Sequence, residues 1–182
     1  HCDDPLVGFL QSLGHSVDTS GMGGAMKEGG SSPWAVGNEA SLAALNSADL
    51  VIMSRRTNSG AYDNDRKGWN ELASPVILMS GYLTRGEASS KRWGWHTSAS
   101  GDASKSEDSV VVESGQESHP FVAGLTSPID AFDWPGDPAE APKAVYLPNA
   151  DGTSAGTVVG KFDGRDMLID IAAGTDFDAL NG

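Results

Sequence analysis

Cysteine is almost absent from this chain: Cys2 stands alone in 182 residues, so no internal disulfide can form. Positive charge is also scarce. Twelve Lys and Arg face 25 Asp and Glu, giving a formal charge of −13. That balance disfavours nucleic acid and anionic membranes as partners, because like charges repel at long range. No apolar run approaches the roughly 20 residues that cross a bilayer, so no membrane insertion is expected. Aromatic residues make up 7% of the chain, which sets apart the close pair Trp93 and Trp95. What is present is 38% hydrophobic residues and 23 glycines, enough for a single α/β domain over residues 1–182 with a buried core. Abundant Gly and Ser with little Lys fits an extracellular or cell-surface protein. The numbering opens on His1, so the chain is expected to be a fragment of a longer protein, with any leader upstream.

Helical and strand patterns alternate through the first 80 residues. PLVGFLQSL places Leu6, Val7, Phe9, Leu10 and Leu13 at helical spacing, with Asp3 or Asp4 as cap and Gly14 as stop. HSVDTS reads as a short strand and the Gly-rich stretch after it as a loop. NEASLAALNSAD predicts a second helix and DNDRKGWNELA a third, the latter with Trp69 and Leu72 facing inward. LVIMS and PVILMS, residues 50–54 and 75–80, are apolar runs of the kind that form strands covered on both faces. After residue 108 the helices stop. SVVVE and AVYL predict strands, and GTVVGKFDGRDMLIDIAAG predicts two more joined by a turn at Asp163 and Gly164. The fold class expected is α/β, a mainly parallel sheet with helices on both faces and an antiparallel C-terminal extension.

The series "helix, SLGHSV, helix, ADLVIMS, helix, PVILMS", followed by SHPFVAGL, resembles the class I glutamine amidotransferase-like superfamily. Within it, His119, Pro120, Gly124 and Leu125 match a pattern of the ThuA-like (trehalose-utilisation) branch. ADLVIMSRRTNSGAYDND and PVILMSGYLTR are similar to domains of large secreted bacterial proteins. The resemblance implies a flavodoxin-like sheet. It also implies a central apolar strand before the first helix, where only HCDD precedes Pro5. That first strand is missing from the chain, so it is expected to lie upstream or to be supplied by another segment.

The same resemblance places Ser80 where the superfamily carries its catalytic cysteine. Thiolate chemistry is therefore not expected. A serine hydrolase would need a histidine to take the proton of Ser80, and His96 and His119 are the candidates. A G-x-S-x-G elbow would need glycines where Leu78 and Tyr82 stand. The competing reading makes Ser80 a strand-end residue that bonds a loop.

A second constellation follows the two apolar strands. Arg55, Arg56, Asn58 and Ser59 come after the first, and Tyr82, Arg85, Trp93, Trp95 and His96 after the second, so they are expected at one end of the sheet. Aromatic faces beside planar donors suit a sugar, whose ring offers C–H groups to an aromatic and hydroxyls to Arg and Asn. Alternatively the tryptophans pack a long loop, and Arg55 or Arg85 pairs with a carboxylate. No cofactor is expected. The acidic clusters at 63–65, 151 and 163 offer oxygen ligands for calcium, but without the spacing of an EF-hand. The function expected is a non-catalytic assembly or binding module, with a carbohydrate as ligand and other chains or domains of the same protein as partners. The alternatives are the Ser80 hydrolase and a structural subunit assembled by strand addition.

Overall fold

The computed structural model describes residues 4–19, 39–54, 66–86, 92–97, 100–102, 109–130, 146–148 and 152–177. The chain divides into two units, His1–Ser80 and Gly81–Gly182. Helices and strands are mixed, in a two-stranded parallel sheet, a four-stranded antiparallel sheet and a further antiparallel pair.

The first unit opens with α1, Asp4–Ser12, which carries an acidic residue in its first turn, where the helix dipole favours one. It ends in a Schellman motif. Gly14 adopts φ 91°, its N–H donates to the Gln11 carbonyl at 2.9 Å, and the His15 N–H donates to the Leu10 carbonyl at 3.2 Å. His15–Thr19, expected as a strand, lies outside every described strand. It contributes one apolar side chain, Val17, too little burial to hold a pairing. α2, Glu39–Asn46, buries Leu45. Its end is tied down from a distance: Ser74 Oγ lies 2.6 Å from the Ala48 carbonyl and 3.0 Å from that of Leu45, and the Ala73 N–H donates to Asn46 Oδ1 at 2.9 Å.

β1, Val51–Met53, and β2, Val76–Leu78, pair in parallel, with Ile52 opposite Ile77. α3, Arg66–Asn70, lies between them in sequence and buries Trp69. Val51 and Met53 are buried, as expected for β1. β2 departs from expectation, because Ile77 and Met79 remain 48% and 47% exposed. An apolar run states that both faces of a strand favour cover, but not that the described chain supplies it.

The second unit begins with a 3-10 turn, Gly81–Thr84. β3, Ser100–Asp102, pairs antiparallel with β6, Tyr146–Pro148. β4, Ser109–Val112, β5, Ile129–Asp130, β7, Thr157–Phe162, and β8, Arg165–Asp170, form the larger sheet in the order β5-β4-β7-β8. β7 and β8 make the hairpin expected from Asp163-Gly164, whose φ values of 49° and 69° belong to a type I′ turn. The register shifts by one at Gly160. There a Cβ would lie 2.9 Å from Val110 Cγ1, so the missing side chain lets β4 close onto β7. Val110 and Phe162 are buried in this core, with Ile129, Met167 and Leu168 packed against them.

Candidate functional site

The residues that carry chemistry gather in the second unit, where three short segments run side by side. The Thr84 hydroxyl closes the 3-10 turn by donating to the Gly81 carbonyl at 2.7 Å. The chain then pairs with residues 93–96 through Trp93 N–H to the Leu83 carbonyl at 3.0 Å, and through His96 N–H to the Thr84 carbonyl at 2.9 Å. On its other side that segment pairs with residues 153–155, with Thr97 N–H to the Thr153 carbonyl at 3.0 Å and Ala155 N–H to the Trp95 carbonyl at 2.8 Å. Arg85 bridges His96 in parallel and His96 bridges Ser154 antiparallel. Bridge partners project from one face, so Arg85, His96 and Ser154 share a face, and Trp95, next to His96, projects from the other.

The polar face has two parts. At one, the Arg85 guanidinium lies 4.5 Å from the centroid of the Tyr82 ring and that of Arg92 lies 5.9 Å from the same centroid. Arg92 Nη1 also donates to the Tyr82 carbonyl at 3.2 Å, which fixes its head against the turn. All three side chains are half-buried. Cations over an aromatic face are attracted by its quadrupole, by about 0.5–1 kcal/mol where solvent reaches them. At the other part, Ser154 Oγ donates to Asp166 Oδ2 at 2.5 Å, and His96 Nε2 lies 3.9 Å from the same oxygen. His96 is buried at 1% exposure, and its burial marks this as an interior polar group.

The opposite face is apolar. Trp93 is wholly buried and tilted against Trp95, with ring centroids 5.4 Å apart, while Trp95 stacks on Phe177 at 6.1 Å and 18°. Each tryptophan has a neighbouring ring against it; Trp93 is closed off from solvent, whereas Trp95 is half-buried.

The other candidates fall elsewhere. Arg55, Arg56, Asn58 and Ser59 lie outside the described residues. Ser80 closes the first unit and is buried at 4% exposure, whereas His96 and His119 belong to the second. His119 is fully engaged: its Nε2 is 3.2 Å from Asp170 Oδ2, and its Nδ1 accepts the Phe121 N–H at 3.3 Å. Among the described residues no three His, Cys, Asp or Glu gather where they could hold a metal ion, and no helix is long and apolar enough to cross a membrane.

Arg92, Ser154 and Asp166 complete the polar face but went unnoticed in the sequence. Arg92 stood in the right segment and is marked only by its distance from Tyr82. Ser154 and Asp166 sit in the antiparallel region, where polar residues at alternate positions read as solvent-facing. Comparison with known proteins finds no matching family model, no matching curated protein and no matching solved structure.

Proposed function

We propose that the chain is a non-catalytic binding module of a secreted or cell-surface protein, and that its ligand is a carbohydrate held at Tyr82, Arg85 and Arg92. The observation that carries this is the half-buried Tyr82 ring flanked by two guanidinium groups. A pyranose presents C–H groups to such a ring and hydroxyls to planar N–H donors. Burial of His96, and the two hydrogen bonds already made by the His119 ring, favour binding over hydrolysis, since a general base must reach substrate. Titration of the chain with a panel of oligosaccharides, followed by calorimetry, tests the proposal. Binding to at least one, lost in Tyr82→Ala, is the expected result; a silent panel removes the reading.

The fold reading that accompanies this is an amidotransferase-like, flavodoxin-like domain of the ThuA-like branch, without the superfamily's cysteine. Its support is the helix and strand order of the first unit and the parallel pairing of β1 with β2. One observation also favours assembly by strand addition. Phe9, Leu13, Leu50, Ile77 and Met79 of the first unit are 42–59% exposed, and parallel sheets are ordinarily covered on both faces. In this reading a strand from a neighbouring chain or domain lies beside β1. Hydrogen exchange of the β1 amides tests it: protection that rises with protein concentration supports a second copy as donor, and protection independent of concentration and of added partner domain removes it.

A further inference from the structure

We infer that the loop carrying Phe121 docks a basic segment of another protein or domain. The segment offers a lysine or arginine close to an apolar residue, with the cationic head on the Asp170 carboxylate and the stem on the Phe121 ring. None of the residues involved belongs to the Tyr82 group. Residues 119–125 are held tightly. The His119 carbonyl accepts the Val122 N–H at 2.9 Å and the Ala123 N–H at 2.8 Å, the Leu125 N–H donates to the Val122 carbonyl at 2.9 Å, and Val122 is buried at 1% exposure. On either side of that anchor in sequence, Phe121 and Leu125 are 53% and 56% exposed. One exposed apolar side chain is ordinary. Two on a loop whose backbone is already fixed give a partner apolar surface to cover without the entropy cost of ordering it.

His119 sets a carboxylate beside that surface. Its Nε2–H donates to Asp170 Oδ2 at 3.2 Å, while its ring meets the Phe121 ring at 71° with centroids 4.8 Å apart. Among the described residues Asp170 has no Lys or Arg partner: its ion-pair contact is this histidine, and its side chain is 53% exposed. The hydrogen bond takes up one carboxylate oxygen and leaves acceptor capacity on the other. Carboxylate, imidazole and phenyl ring in that order make a strip that is negative at one end and apolar at the other. Lys and Arg match such a strip, because each carries a charged head on a long apolar stem and is attracted to an aromatic ring. The charge of the whole chain acts in the same direction. At −13, with Glu117 exposed just before the loop, it draws a cation in and steers it. A purely apolar partner would instead cover the Asp170 carboxylate without giving it a donor, which costs free energy.

A random heptapeptide display library panned on the whole 182-residue chain supplies the probes, and the enriched peptides are expected to carry Lys or Arg close to an apolar residue. Calorimetry then follows the tightest of them, made once with its cation and once with norleucine in that place, which keeps a stem and drops the charge. Asp170→Asn and Phe121→Ala should each weaken the cationic peptide about two- to fivefold, the size of an exposed ion pair or cation–π contact. Asp170→Asn should not weaken the norleucine peptide, because the cycle isolates the contact between the two charges. Asparagine keeps an oxygen for His119, so the loop retains its tie and the loss is not a folding defect. A library that enriches no basic peptide, or a peptide whose affinity ignores either substitution, overturns the inference. Peptide binding that falls in Tyr82→Ala belongs to the other group of residues and overturns it as well. Oligosaccharide binding at Tyr82 stands or falls separately from all of these results.

Discussion

Ser154 donates its hydroxyl proton to Asp166 Oδ2 across 2.5 Å, and the buried His96 ring comes to 3.9 Å from that same oxygen. The order of the three groups matters. In a catalytic triad the histidine stands between hydroxyl and carboxylate, whereas here the carboxylate stands between hydroxyl and histidine. The hydroxyl is committed to an acceptor that does not activate it for attack on a substrate, so the group ties the 153–155 segment to β8. Ser154→Ala should cost about 1.5–3 kcal/mol, the range for a hydrogen bond to a carboxylate. In urea unfolding, a double-mutant cycle with Asp166→Ala should return a coupling near 1 kcal/mol.

The bulge at Gly160 predicts a graded response to added methyl groups. In Gly160→Ala the new Cβ meets Val110 Cγ1 at 2.9 Å and Leu168 Cδ1 at 3.3 Å, both side-chain atoms that can shift. A loss of about 1–3 kcal/mol is expected. Gly156→Ala should be worse, because its Cβ would run into the Asp170 backbone carbonyl, which cannot turn aside. Chemical denaturation of the two variants should rank them in that order, and the reverse order would contradict the close approach at Gly156.

Local chemistry was legible wherever it decided structure by itself. Gly14 announced the end of α1 because only a residue tolerant of positive φ closes a Schellman motif without strain. Asp163-Gly164 announced the β7–β8 hairpin for the same reason. β3, Ser-Gly-Asp, carries no apolar pattern and is held by backbone pairing with β6, so nothing in its composition marks it. The site was legible by halves. Being near in sequence brought Arg85, Trp93 and Trp95 into one ladder with Tyr82 in the turn before it, but which face each side chain takes depends on register. Register is set by bridges to residue 96 and onward to residue 154, far apart along the chain.

Ser74 is a case where a small buried polar residue does what a helix cap does from elsewhere in the chain. Its hydroxyl reaches the carbonyl of Leu45, in the last turn of α2, which also accepts the Ala48 N–H at 3.2 Å, and the carbonyl of Ala48 just past the helix end. Ser74→Ala removes these bonds but leaves the Leu45 carbonyl the Ala48 N–H, so it should cost about 0.5–1.5 kcal/mol. Hydrogen exchange should show the loss as faster opening at residues 43–48, with the β7–β8 amides unchanged.

The His119 ring has its tautomer assigned by its neighbours. Nδ1 accepts the Phe121 N–H, so in the neutral ring the proton sits on Nε2 and is donated to Asp170. Nitrogen-15 shifts of the imidazole should report the Nε2–H form, and the Nδ1–H form would contradict the geometry. Asp170 is 53% exposed, so solvent screening limits the bond. Asp170→Ala should change stability by less than about 1 kcal/mol.

β2 gives the sharpest contrast between what its sequence favours and what its surroundings supply. Val76 to Leu78 reads as a strand with two covered faces, yet Ile77 and Met79 keep nearly half of their surface in water. A side chain already solvated loses little when it becomes polar, so Ile77→Lys should shift stability by no more than about 0.5 kcal/mol. Trp69→Ala in the same unit removes a side chain that is 2% exposed and should cost about 3–5 kcal/mol. If Ile77→Lys instead unfolds the isolated chain as Trp69→Ala does, that face is covered and the exposure at β2 is refuted. If stability holds and the tendency to associate falls, the open face of β2 is the surface through which the chain meets other protein.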